Sequence, residues 1–170
     1  GSEMCIRDRV RRDMKYDKNI NLRDALQKTL HYVPEFLQEP VKYEIYQLKY
    51  TEENRLLRFA PLRYLKNGVA DIKGTNYYQV YSAEYENGVD MSDASERYYT
   101  LEKLFRNLND AEKPLGYIGH SLSVSDIVIL KQGNEQQAYY VDSFGYKELP
   151  SSIINELHNE RLSLIHISEP

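Results

Sequence analysis

Tryptophan is absent from this chain and cysteine occurs once, at Cys5. One thiol excludes an internal disulfide and any cysteine-built zinc site, which takes ~2 to 4 thiolates. Long apolar runs are also missing. No stretch reaches the ~20 residues a membrane-spanning helix requires, so a non-membrane protein working in the cytoplasm is expected. Charge of one sign is scarce: 22 Lys and Arg face 26 Asp and Glu, a net charge of -4. Such a chain has no strong global field to gather nucleic acid or anionic lipid. Glycines are too sparse for a phosphate cradle; Gly116 and Gly119 alone do not make a Gly-x-Gly-x-x-Gly or Walker pattern. Histidine is thin as well. His31, His120 and His158 are far apart and form no HxxxH pair, so neither a metal nor a cofactor is expected.

The two ends are unusual. The DNA string GGCTCGGAGATGTGTATAAGAGACAG translates as Gly1 to Asp8, with its last two bases opening the Arg9 codon. Its reverse complement translates as Leu162 to Glu169 and opens the Pro170 codon. That duplex resembles a transposase sequencing adaptor, so residues 1–9 and 162–170 are expected to be artefacts flanking a metagenomic reading frame cut at both ends. Setting them aside removes Cys5 and His166 and leaves 20 basic against 23 acidic residues. Function is then sought between Val10 and Arg161, about the size of one domain. Ends without selection to pack are expected to fray.

What is abundant is tyrosine: 16 residues, against four phenylalanines. Tyrosine offers apolar area with a polar tip, which suits strands whose hydroxyls emerge at the solvent edge, or a binding surface. Along the chain, Asn21 caps an expected helix carrying Leu22, Leu26, Leu30 and Val33 before Pro34, within a linker segment spanning 10–40. Tyr43 to Tyr50 is predicted as a strand, Pro61 to Gly68 as a short helix, and Asn76 to Tyr85 as a strand. Thr100 is a candidate cap for a helix bearing Leu101, Leu104, Phe105 and Leu108. The continuous apolar run Ile127 to Leu130 predicts a strand covered on both faces, joined at Gly133-Asn134 to a hairpin partner, Gln137 to Val141. Ile153, Ile154 and Leu157 open a last helix, expected to be cut short at the adaptor junction. The order β, α, β, α, β, β with a final helix predicts an α+β domain. Its sheet, mixed or antiparallel and of about four strands, would carry short helices on one face.

The densest chemistry lies in Gly119, His120, Ser121, Leu122, Ser123, Val124, Ser125 and Asp126, with Asp142, Ser143, Phe144 and Gly145 following. A hydrolase would use Ser123 or Ser125 as nucleophile, His120 as base and Asp142 to orient it. No Gly-x-Ser-x-Gly elbow occurs, and Ser-Leu-Ser-Val alternates like extended backbone. The favoured reading is architectural: Ser125 and Asp126 satisfy backbone donors at a strand entry, His120 packs beside Tyr117, and Asp142-Ser143 closes the hairpin's far end. No catalytic residue is therefore assigned. A separate candidate is nucleic-acid contact through Arg55, Arg58, Arg63 and Lys66, beside tyrosine-rich strands. The acidic balance and the lack of an RNP-type motif favour a solvated surface.

The blocks YEIYQLK at Tyr43, LRFAPLRYL at Leu57, NYYQVYSAEY at Asn76, TLEKLFRNLN at Thr100, GHSLSVSDIVIL at Gly119 and YYVDSFGYKELP at Tyr139 resemble the YodL-like domain. The resemblance covers 41–157 and is most specific in GHSLSVSD and YYVDSFG. It implies a protein of integrative conjugative elements and related mobile DNA in gut Firmicutes, beside antirestriction, methylase or helicase modules. The family supplies no accepted catalytic residues, so residues of those two blocks enter as its signature positions. The resulting expectation is a non-enzymatic interaction module whose partner is a host or element-encoded protein, with a nucleic-acid or antirestriction accessory as the alternative.

Overall fold

In the computed structural model, residues 39–168 are described, with side chains through Leu162. The helix expected at 21–33 and the adaptor-like N-terminal string lie outside that range.

Five strands form one antiparallel sheet: β1 (Lys42–Leu48), β2 (Tyr77–Glu84), β3 (Ile127–Gln132), β4 (Glu135–Val141) and β5 (Tyr146–Leu149). Their order across the sheet is β2-β1-β3-β4-β5. The α+β class stands, with one strand more than expected. Strand β5 escaped because Tyr-Lys-Glu-Leu is four residues long and exposes Lys147 and Glu148. Gly133-Asn134 does turn β3 into β4, in register Gln132 to Glu135.

The run Ile127 to Leu130 is fully buried, as its lack of polar residues demands. Val128 and Leu130 join the cluster containing Leu101, Leu104 and Leu108 of α1 (Ala94–Leu108). Ile127 and Ile129 join the cluster containing Ile153, Ile154 and Leu157 of α2 (Ser151–Ser168). The two helices thus cover opposite faces, which corrects the expectation of helices on one face. A β3 apolar on both sides needs cover on both, at roughly 1.5–3 kcal/mol per large apolar side chain kept from water.

Two helix ends differ from expectation. Helix α1 starts at Asp93, whose carboxylate accepts the Ser95 N–H at 2.8 Å. Thr100 is buried inside the helix and its hydroxyl donates to Glu96 O at 2.8 Å. The exposed Tyr98 and Tyr99 had hidden the first turns, because apolar periodicity begins only at Leu101. Helix α2 continues through Ser168, past Arg161, so the helical backbone includes most of the adaptor-like tail. Leu162, the last described side chain, is exposed.

Between β1 and β2 the expected α-helix is replaced by 3-10 turns at Leu62–Tyr64, Gly68–Asp71 and Gly74–Asn76. Tyr64 N bonds Pro61 O and Leu65 N bonds Leu62 O, each at 3.0 Å. Asn67-Gly68 interrupts before an i to i+4 ladder can propagate.

Candidate functional site

The register Tyr46 to Ile127, Ile127 to Tyr140 and Val141 to Tyr146 gathers three chain stretches at one end of the sheet. These are 50–66 after β1, 119–126 before β3 and 142–145 after β4. The two signature blocks are joined directly: Ser125 N donates to Val141 O and Val141 N to Asp126 O, both at 2.9 Å.

Gln47 organises this end. It continues the alternation of Tyr43 and Ile45 and is fully buried. Its Oε1 accepts the His120 N–H at 3.1 Å, while Nε2 donates to His120 O at 2.9 Å and Asp126 Oδ2 at 3.0 Å. One amide therefore clamps both backbone groups of His120 and the carboxyl of Asp126. Gly119 is what lets the loop approach so closely. A Cβ there would overlap Gln47 Oε1 and stand 2.8 Å from Val80 Cγ1.

Ser123 to Asp126 folds as a tight turn, with Asp126 N donating to Ser123 O at 3.1 Å and Ser123 N to Asp126 Oδ2 at 2.8 Å. The extended backbone suggested by Ser-Leu-Ser-Val is therefore not found, and Ser125 takes a left-handed φ of 81°. Three bonds over-determine that conformation. Besides its N–H to Val141, Ser125 O accepts from Tyr77 OH at 2.8 Å and its Oγ accepts the Phe59 N–H at 3.0 Å. Phe59 is itself left-handed, at φ 64°. The only non-glycine residues with positive φ among the described residues are thus bonded to each other.

His120 lies under Phe59, ring centroids 5.3 Å apart and inclined by 55°. Its Nδ1 is 2.7 Å from Ser121 O, and its Nε2 is 3.9 Å from Asp126 Oδ1. No serine hydroxyl is among the hydrogen-bond partners of the ring. Ser123 Oγ donates to Ser121 O at 2.7 Å and Ser125 Oγ is occupied by Phe59. Asp142, the expected third member of a triad, is committed elsewhere: its Oδ1 accepts from Leu62 N at 3.1 Å and Ser143 N at 2.8 Å. Its N–H bonds Gly145 O at 3.0 Å, and Gly145, at φ 85°, closes the turn from β4 into the unforeseen β5. The serine, histidine and Asp142 set does not assemble; the carboxyl beside the imidazole is Asp126.

Asp126 is 1% exposed, and its Oδ1 has no hydrogen-bond partner. Burial pushes its carboxyl up to about 8, against the lowering effect of the Ser123 N–H and the Gln47 amide. Tyrosines fasten the loops around it. Tyr117 OH donates to His120 O at 2.7 Å and Tyr140 OH to Ala60 O at 2.5 Å, beside the Tyr77 bond to Ser125 O. The hydroxyls expected at a solvent edge are instead, in these three cases, bonded to loop carbonyls.

The remaining sequence candidates are surface groups. Arg58 stacks 4.5 Å over the Tyr50 ring and Arg63 5.0 Å over the Tyr64 ring. Arg55 meets Glu52 at 3.4 Å with both side chains exposed, and Lys66 is exposed. Ser121 is half-buried, and Ser143 and Phe144 are exposed on the turn after β4. Among the described residues no group of three or more His, Cys, Asp or Glu side chains could hold a metal ion, and no helix is long and apolar enough to cross a membrane. Sequence reasoning did not single out Gln47 or Phe59. A polar residue at an inward strand position was the available signal for Gln47; nothing in Arg-Phe-Ala-Pro announced a left-handed phenylalanine.

Neither a curated protein nor a solved structure matches the chain. The model of the YodL-like domain matches residues 42–151, which spans β1 to the first residue of α2 and includes the whole loop end. The chain belongs to the YodL-like domain family.

Proposed function

We propose that this chain is a non-enzymatic protein-interaction module, part of a larger protein of mobile DNA in Firmicutes that works in the cytoplasm. Its docking surface is the loop end of the sheet, and its partner is a host or element-encoded protein. The observation that carries this reading is where the apolar exposure lies. Phe144, Leu56 and Phe59 are 92%, 83% and 55% exposed, all on the stretches that meet at this end. Scattered apolar residues on a surface are ordinary, but a concentration beside a rigid polar frame suits a binding site. The frame supports binding more than catalysis, because both nitrogens of the His120 ring face groups other than a nucleophile.

A photo-crosslinking residue placed at Leu56 or at Phe144 in a host lysate tests this, with Asn134 at the opposite end as control. Adducts to one shared partner from the first two positions and none from Asn134 are expected. Equal adducts from all three, or none from any, would remove the reading.

A second reading, a nucleic-acid or antirestriction accessory, is favoured by the two arginine-tyrosine stacks, since neither guanidinium has a carboxylate partner among the described residues. Stacked aromatics with free cations can hold single strands. Glu52 and Glu53 on the same stretch and the net charge of -4 place it second. Salt-dependent retention of single-stranded DNA that disappears in Arg58→Ala/Arg63→Ala would promote it, and no retention at low salt would dismiss it.

A further inference from the structure

We propose that His120 and Asp126 form a one-proton latch that controls how firmly Phe59 is held on the loop end. The atoms dictate the count. Ser121 O only accepts, and the two protons of Gln47 Nε2, itself 3.2 Å from His120 Nδ1, go to His120 O and Asp126 Oδ2, so the 2.7 Å contact assigns a proton to Nδ1. In the neutral ring that leaves a lone pair on Nε2, which lies 3.9 Å from Asp126 Oδ1. Asp126 Oδ2 is already occupied by the Ser123 N–H and the Gln47 amide, whereas Oδ1 is buried without a partner. The gap between Oδ1 and Nε2 therefore takes one proton. With one, the two atoms close into a hydrogen bond, whether the proton sits on oxygen or on nitrogen. With none, a buried carboxylate oxygen faces a lone pair. With two, donors oppose each other.

No other charge within the cluster performs this task. The groups that face the pair are Gln47 from β1, Tyr77 and Tyr78 from β2, Tyr117 from the approaching loop, Tyr140 from β4 and Ser123 on the turn itself. None is a cation. Burial raises the tyrosines above their usual range, so they stay neutral while Asp126, pushed up to about 8, exchanges its proton.

Latch state passes to Phe59 along two contacts. The ring rests on the imidazole, and the Phe59 N–H is held by Ser125, the residue just before Asp126. A left-handed phenylalanine persists only where such contacts over-determine it. Opening the latch frees His120 to turn away, and Phe59 loses its support. Since Phe59 belongs to the proposed docking surface, binding is tightest while the pair carries one proton; that consequence rests on the docking reading, whereas the latch itself does not.

Because the chain contains no tryptophan, Phe59→Trp places a single indole on the imidazole, excited selectively at the red edge where the neutral phenols of the 16 tyrosines do not absorb. Its emission, followed in the full chain from about pH 7 to about pH 9.5 so that only loss of the shared proton is read, should change in a transition centred near pH 8. Adding Asp126→Asn should abolish the transition, because the amide oxygen keeps the Ser123 and Gln47 bonds and its NH2 donates permanently to Nε2. No transition, or one that survives Asp126→Asn, overturns the latch. Amide exchange of Phe59 in the unsubstituted chain, corrected for the intrinsic rate, guards against a perturbing tryptophan. Its protection should fall several-fold over the same alkaline range, and constant protection overturns the latch as well. If the latch titrates and partner binding ignores Phe59, the docking reading falls and the latch stands. If binding depends on Phe59 and nothing titrates, the latch falls alone.

Discussion

The two ends of this sheet solve chain reversal in opposite ways. At one end Gly133-Asn134 returns β3 into β4 with Asn134, Glu135 and Gln136 exposed. At the other, three long stretches converge on Gln47, bury Asp126 and hold Ser125 and Phe59 in left-handed backbone. A tight polar turn is the inexpensive way to reverse a chain. The loop end instead carries strain, an unpartnered buried oxygen and exposed apolar side chains, features that collect where structure serves function.

That contrast is open to test by substitution. The largest effect is expected at Gly119→Val, whose side chain has no room against Gln47 and Val80. Chemical denaturation should show a loss of about 3 kcal/mol or failure to fold, while Asn134→Ala stays within about 0.5 kcal/mol. Gln47→Leu leaves the His120 N–H and one bond to the Asp126 carboxyl without their partner, and should cost about 2–3 kcal/mol by the same measurement.

Asp126→Asn should act in the other direction and depend on pH. The folded carboxyl titrates near 8 and the unfolded one near 3.8, so its contribution is fully present below 3.8 and is lost as pH rises through 8. The variant should match the parent in acid and exceed it by about 2 kcal/mol at about pH 9, after allowing for relaxation around the charge. Equal stability across the range would show that Asp126 is not held in this environment. The smallest effect is expected from Ser125→Ala, which removes the acceptor for the Phe59 N–H and should cost about 1 kcal/mol, with faster exchange at that amide.

How much of this was legible follows from what each residue's neighbours in sequence reveal. The β3–β4 hairpin was readable because burial on both faces leaves an unbroken apolar run and the turn advertises itself as Gly-Asn. Strand β5 and the first turns of α1 were not, since exposed Lys147, Glu148, Tyr98 and Tyr99 erase the periodicity. At the site, Ser125 and Asp126 were correctly expected to satisfy backbone donors, and His120 to lie beside Tyr117. The partnership of His120 with Asp126 rather than Asp142 depends on which way two side chains point from adjacent strands. Asp126 turns into the interior, while Asp142 turns to the 3-10 segment at Leu62. Spacing along the chain carries no such direction.

The claim that the loop end is the binding end is tested most directly by titrating the crosslinked partner, once purified, against two variants. Phe59→Ala at the loop end should weaken binding at least about tenfold, a loss of about 1.4 kcal/mol, and Asn134→Ala at the hairpin end should leave it within about twofold. Equal loss in both, or loss only in Asn134→Ala, would contradict the account.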